Sequence, residues 1–170
     1  ELVYGRLATD RPHTFKFFSS YDLKSRLGTT QFSPALTLMS GTPLSTEADV
    51  ISSTPVFLNG RGDMGRTPVF SNTDMKISHE FKVGRSDERK MRLEATMGNL
   101  FNQRIVVDKI SNYIHPHDGQ IQFENFDDAL KGYDYESLRR EQDLRIDPRY
   151  GMPSSFSSPR SIRLGLHYIF

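Results

Sequence analysis

The chain has 170 residues, 36% of them hydrophobic, and a formal charge of +1 from 22 Lys+Arg against 21 Asp+Glu, which gives no sign of a nucleic-acid surface. No apolar run approaches the ~20 residues that a membrane-spanning helix requires, so a helical membrane protein is excluded. The absence of Cys removes zinc ribbons, disulfide scaffolds and thiol catalysis. The sequence starts at Glu1 without an initiator Met or a charged-then-apolar leader, and we expect either a removed signal or a piece of a longer polypeptide.

Taken in chain order, the first clear element is an alternation. Phe15, Phe17, Ser19, Tyr21 and Leu23 share one face against Thr14, Lys16, Ser20 and Asp22, with Phe18 as the exception, and this predicts a strand over 13–23. A turn at Lys24-Ser25-Arg26-Leu27-Gly28 leads into a weaker strand over 30–40. There Pro34 lacks a ladder donor, which predicts a bulge or a locally unpaired position. A long, polar, Gly/Pro-containing stretch follows at 41–68 and reads as a loop.

The cleanest alternation comes next. Thr73, Met75, Ile77, His79, Phe81 and Val83 alternate with Asp74, Lys76, Ser78, Glu80 and Lys82, predicting a strand over 69–83. The charged segment 84–90 reads as a hairpin turn. Met91, Leu93, Ala95 and Met97 then alternate with Arg92, Glu94, Thr96 and Gly98 over 91–99. A second long loop spans 102–160. Within it, Asn125-Phe126-Asp127-Asp128-Ala129-Leu130 and Tyr135-Glu136-Ser137-Leu138-Arg139-Arg140 have polar starts and apolar residues at helical spacing, predicting one or two short helices. The last strand, 161–170, sets Ile162, Leu164, Leu166, Tyr168 and Phe170 against Ser161, Arg163, Gly165 and His167.

These strands match the roughly 9–11 residues of a tilted membrane strand, and short turns alternate with long loops. Outer-membrane barrels keep short turns on the periplasmic side and long loops outside. The expected fold is therefore all-β: an antiparallel meander of about five or six strands forming part of one transmembrane β-barrel domain over 1–170, counting a stub at Leu2 to Tyr4. Loops 41–68 and 102–160 would be extracellular and the C-terminus periplasmic. Ile162, Leu164, Leu166, Tyr168 and Phe170 would face lipid, while Lys76, Glu80, Lys82, Arg92, Glu94 and Arg163 would line the lumen and pair with one another or with a plug. Five strands fall short of the eight in the smallest barrels, and open edges in lipid cost several kcal/mol per unpaired group. We expect part of a larger barrel, or oligomerisation.

Several segments carry a family resemblance. Arg66-Thr67-Pro68 leads into Thr73-Asp74-Met75-Lys76-Ile77-Ser78; Met91-Arg92-Leu93-Glu94-Ala95 runs into Asn99-Leu100-Phe101-Asn102; Asp147-Pro148-Arg149-Tyr150-Gly151 precedes Pro159-Arg160-Ser161-Ile162-Arg163-Leu164-Gly165. With Asp10-Arg11-Pro12-His13 ahead of the first strand, this ordered set resembles the C-terminal barrel of TonB-dependent outer-membrane receptors. The likeness is to the Oar-like branch, whose members carry a carboxypeptidase-regulatory-like domain, and it covers nearly the whole chain from about Tyr4.

The resemblance implies a barrel of about 22 strands around a plug, a ligand bound at outward loops, and uptake driven through TonB. It implies that the apolar row from Ile162 to Phe170 is the signal read by the barrel assembly machinery. The plug and the energy-coupling box do not lie in this sequence, so transport would belong to the intact protein. The expected function is wall and ligand-facing loops for uptake of a bulky or scarce substrate, in the outer membrane of a Gram-negative type of envelope. The alternative is a surface anchor or adhesion barrel that moves nothing. Siderophore, cobalamin, glycan and peptide all stay open as ligand.

The candidate ligand loop contains Tyr133, Tyr135, Arg139 and Arg140, against the plainer reading of a rim helix that folds the loop back. His115-Pro116-His117-Asp118 has metal-ligand residue types but no fourth ligand, and Arg61-Gly62-Asp63 reads as turn chemistry in a Gly-rich loop. Scattered Ser, His and Asp show no nucleophile elbow. No enzyme activity, cofactor, metal or nucleic-acid partner is expected.

Overall fold

The computed structural model describes residues 4–50, 54–84, 89–122 and 134–170. The fold is mostly antiparallel β-sheet with one short helix among the described residues. In chain order the elements are β1 (Thr14–Phe18), β2 (Tyr21–Ser25), β3 (Gly28–Met39), β4 (Glu47–Val50), β5 (Thr54–Phe57), β6 (Phe70–Lys82), β7 (Lys90–Gly98), β8 (Val106–Lys109), α1 (Tyr135–Glu141), β9 (Pro153–Phe156) and β10 (Ser161–Ile169). They fall into two compact units: a sheet unit of residues 13–40, 69–105 and 157–170, and an insert unit of residues 1–12, 41–68 and 106–156.

The sheet unit is a meander. β1 and β2 lie end to end along β3, with Phe18 opposite Ala35 and Tyr21 opposite Phe32, so one register runs through both. The interruption between them is the position that Pro34 was expected to disturb. Ser19 N donates to Pro34 O at 3.2 Å, but Pro34 has no N–H to return, so the site is unpaired without being a bulge. From β3 the order continues through β6 and β7 to β10, each pair antiparallel. The five strand positions correspond to the five segments that alternation predicted. Among the described residues neither β10 nor the β1–β2 strand pairs along its outer side, so the sheet is open.

Local chemistry fixes the connections. Gly28 sits at φ +140°, and a Cβ there would meet the Glu80 carbonyl oxygen at 2.1 Å, so a bare backbone is what lets this turn lie against β6. Val83 N donates to Arg89 O at 2.9 Å across the second turn, whose residues 85–88 lie outside those described. At the opposite end, Asn99 and Asn102 both take positive φ, as Asn does more readily than most residues. Asn99 is buried; its Nδ2 donates to Gln103 O and Ser158 O, its Oδ1 accepts from Gln103 N, and its own N donates to Asp74. Asn102 Oδ1 accepts from Arg160 N. Beyond them, Ser157 N donates to Ile105 O at 2.8 Å and Ile105 N donates to Ser157 Oγ at 3.0 Å, so the chain leaves the sheet and returns to it through a closed neck.

The insert unit has the packed core. Ala48, Ile114, Ile121, Tyr135 and Leu144 are buried together, with Val56, Leu58, Tyr113 and Leu138 against them. Two small antiparallel pairs, β4–β5 and β8–β9, frame it. These four strands lie in 41–68 and 102–160, where the sequence predicts loops, because each is only four residues long, too short for a pattern to stand out. The helix expected at Tyr135 is present: Asp134 caps α1, accepting from Ser137 N and Ser137 Oγ. The helix expected at 125–130 lies outside the described residues.

Candidate functional site

Two surfaces merit description, and the sheet supplies the first. Antiparallel register stacks like with like across it. One row runs Tyr21, Phe32, Ile77, Ala95, Leu164 and the next Leu23, Thr30, His79, Leu93, Leu166. The expected row of β10 is highly exposed: Ile162 is 60% accessible, Leu164 82%, Leu166 61% and Phe170 93%. Among the described residues, those buried in the sheet unit are Ser78 and Asn99, both polar, while the six buried hydrophobic ones all belong to the insert unit. Two polar groups on this apolar face, Thr30 and His79, meet each other. Thr30 Oγ1 is 2.8 Å from His79 Nδ1, and the His79 ring stacks on Phe81 at 5.8 Å. Tyr168 and Phe170 stack at 5.9 Å.

The other face collects Lys76, Glu80, Lys82, Arg92, Glu94 and Arg163, as alternation required. Lys76 Nζ reaches Glu94 at 2.9 Å, and Glu80 accepts from Arg92 at 2.6 Å and from Lys90 at 3.0 Å. Lys82 stands directly across from Lys90. Charges of both signs on this face thus form cross-strand pairs.

The second surface is in the insert unit. A cavity of about 460 Å³ is lined by Tyr113, Tyr135 and Tyr150, by Thr46 and Asn59, by Asp134 and Glu136, and by Leu58. Asp134 is held below the usual carboxylate range by the Ser137 hydroxyl and amide, and Glu136 by the Arg139 guanidinium. Burial raises the Tyr113 phenol, helped by the neighbouring Glu136 carboxylate. Of the candidate loop residues, Tyr135 is buried and lines the cavity, whereas Arg139 and Arg140 turn their guanidinium groups onto Glu136 at 2.7 and 3.2 Å. Tyr133 lies outside the described residues.

Nothing in sequence spacing signals this cavity, since its lining comes from five separated stretches. Of the resemblance motifs, the Asp147-to-Gly151 segment contributes Tyr150 to the lining. Asp147 accepts from Arg149 N, Nε and Nη2, which tightens the Asp147-to-Gly151 turn carrying Tyr150. Arg66 binds the Asp10 carboxylate, Asp10 O and Gly41 O, joining two other quoted segments. In Arg61-Gly62-Asp63 the carboxylate accepts from Thr46 N and Thr46 Oγ1, a turn anchor. In the His115-to-Asp118 segment, Asp118 is engaged by Arg145 at 2.6 Å, and His115 Nδ1 accepts from His117 N.

No family model, curated protein or solved structure matches this chain, and its function is therefore read from the residues themselves.

Proposed function

We propose that this chain contributes barrel wall and ligand-facing loops to an outer-membrane receptor of the TonB-dependent kind, serving energy-coupled uptake of a bulky or scarce substrate. One observation carries the reading: among the described residues, a face apolar across five strand positions contains no buried apolar side chain. Soluble monomers rarely expose contiguous apolar patches beyond a few hundred Å². A bilayer removes the conflict, because lipid solvates the outer row and an aqueous lumen solvates the charged one. The alternation of short turns at 24–28 and 84–90 with the long stretches 41–68 and 102–160 supports an extracellular reading of those stretches.

The same reading demands neighbours. Two outward-unpaired strands in lipid would cost several kcal/mol per bare backbone group, so further strands must flank β1–β2 and β10, from the same polypeptide or another copy. The plug and the energy-coupling segment would likewise be contributed by the rest of the receptor.

Because the chain has no Cys, single-Cys variants give a clean test. With the chain directed to the envelope of a Gram-negative host, a water-soluble maleimide should label Arg163→Cys and Gly165→Cys and spare Leu164→Cys and Leu166→Cys. Uniform labelling of all four would remove the membrane reading.

A further inference from the structure

The walls of the insert-unit cavity combine two properties: several phenol rings, and carboxylates with no Lys or Arg among the described lining residues. We propose that this cavity binds an organic cation, with an ammonium group held over the rings of Tyr113 and Tyr150 and beside Asp134. The inference deepens the receptor reading and rests on it for the source of the ligand.

The rings are arranged for such a guest. Tyr113 and Tyr150 meet edge to face, 5.0 Å between centroids at 83°, so their faces form two walls of a corner; Tyr135, itself only 5% exposed, adds a third lining ring. A cation within about 6 Å of an aromatic face is drawn by the ring quadrupole, most strongly where water is displaced. Hydrogen bonding increases that pull. Tyr113 donates its hydroxyl proton to Glu136 at 3.3 Å. Thr46 Oγ1 donates to Asp63 and so must accept from the Tyr150 hydroxyl. A phenol whose proton leans onto an acceptor carries more electron density in its ring.

The charge follows the same sign. Among the described lining residues there are two carboxylates and no Lys or Arg. Glu136 is ion-paired with Arg139 and Arg140, whereas Asp134 accepts from the neutral amide and hydroxyl of Ser137 and feels Arg140 without an ion pair to it. Both carboxylates line the cavity. The volume exceeds that of a bare ammonium and falls within the 300–1,000 Å³ typical of small-molecule sites, so the cation carries an organic body that Leu58 can cover.

The test uses the full chain in detergent micelles, titrated with choline and with 3,3-dimethylbutan-1-ol, its neutral isostere. Choline should bind about tenfold more tightly than the isostere. Asp134→Asn retains a good helix cap while removing the charge and should weaken choline by about fivefold, with the circular dichroism unchanged. Tyr113→Phe should keep most of the affinity and Tyr113→Leu should lose it. Equal binding of the two probes, preference for maltose over choline, no saturable choline binding, or full affinity in folded Asp134→Asn would each overturn the proposal. Flotation of the chain with liposomes reads the membrane assignment separately: a chain that floats but ignores choline fails only the cavity inference, and one that binds choline but stays in the aqueous phase fails only the receptor reading.

Discussion

Glu80 and Arg92 face each other directly in the β6–β7 ladder, and the same carboxylate also holds Lys90, which itself stands across from Lys82. One acid therefore holds two cations, Lys90 and Arg92, on the polar face. Glu80→Gln leaves that group without its counter-charge and should cost about 0.5–1 kcal/mol. The loss should shrink as NaCl is raised, because screening weakens repulsion among exposed charges. Urea titrations in micelles at low and high salt read both effects; an identical loss at both would show that packing, not charge, is what Glu80 supplies.

Leu164 separates a membrane wall from a soluble sheet. It is 82% exposed, so in water Leu164→Arg should change stability by no more than about 0.5 kcal/mol. Facing lipid near the bilayer midplane, the same substitution should cost about 2–4 kcal/mol, while Leu164→Met stays within about 0.5 kcal/mol. Folding titrations into liposomes decide between these values.

Asn99 joins β7 to the neck of the insert. It combines positive φ with burial and with side-chain bonds to Gln103 and Ser158. Asn99→Ala removes those bonds from the Gln103 and Ser158 backbone and puts Ala in the left-handed region, for an expected loss of about 1–3 kcal/mol. Asn99→Asp keeps the acceptor and should fall between the two. Chemical denaturation of the three proteins orders them.

Acid should loosen the insert unit. The Arg145 guanidinium holds the Asp118 carboxyl far below the usual range, and Arg149 lowers Asp147. Each folded-state value lies below the unfolded one, about 3.9, so the stabilisation is fully present above that pH. It is lost as pH falls through the folded-state values. Hydrogen exchange at the Arg145 amide, which donates to Asp118 at 2.7 Å, should accelerate between about pH 4 and pH 2. Asp118→Asn should exchange faster at neutral pH and show a flatter acid response.

What could be read from sequence follows from what alternation reports. Met75, Ile77, His79 and Phe81 announce a strand because every second side chain meets the same surroundings, whichever apolar medium that is. The charged turn at 84–90 and the Gly28 turn then limit the register. Pro34 signalled a disturbed ladder but not its kind, since only the pairing with β1 and β2 shows that the register continues. The insert core was hidden for the opposite reason. Ala48, Ile114, Ile121 and Leu144 are isolated among polar residues and come together through long-range contacts, without a period of their own. The cavity was hidden further, because Tyr113 and Tyr150 become neighbours only after the Asp147 turn forms.

The neck at Ile105 and Ser157 has an evolutionary consequence. Chain that departs and rejoins between two hydrogen-bonded residues can vary in length at little expense to the strands, since closing a longer loop adds only about 0.6 kcal/mol per doubling. Exchange of the chain between these two residues would leave β7 and β10 in register, but Ala48, Val56 and Leu58 of the 41–68 segment pack in the same core, so any replacement must fit the surface they present.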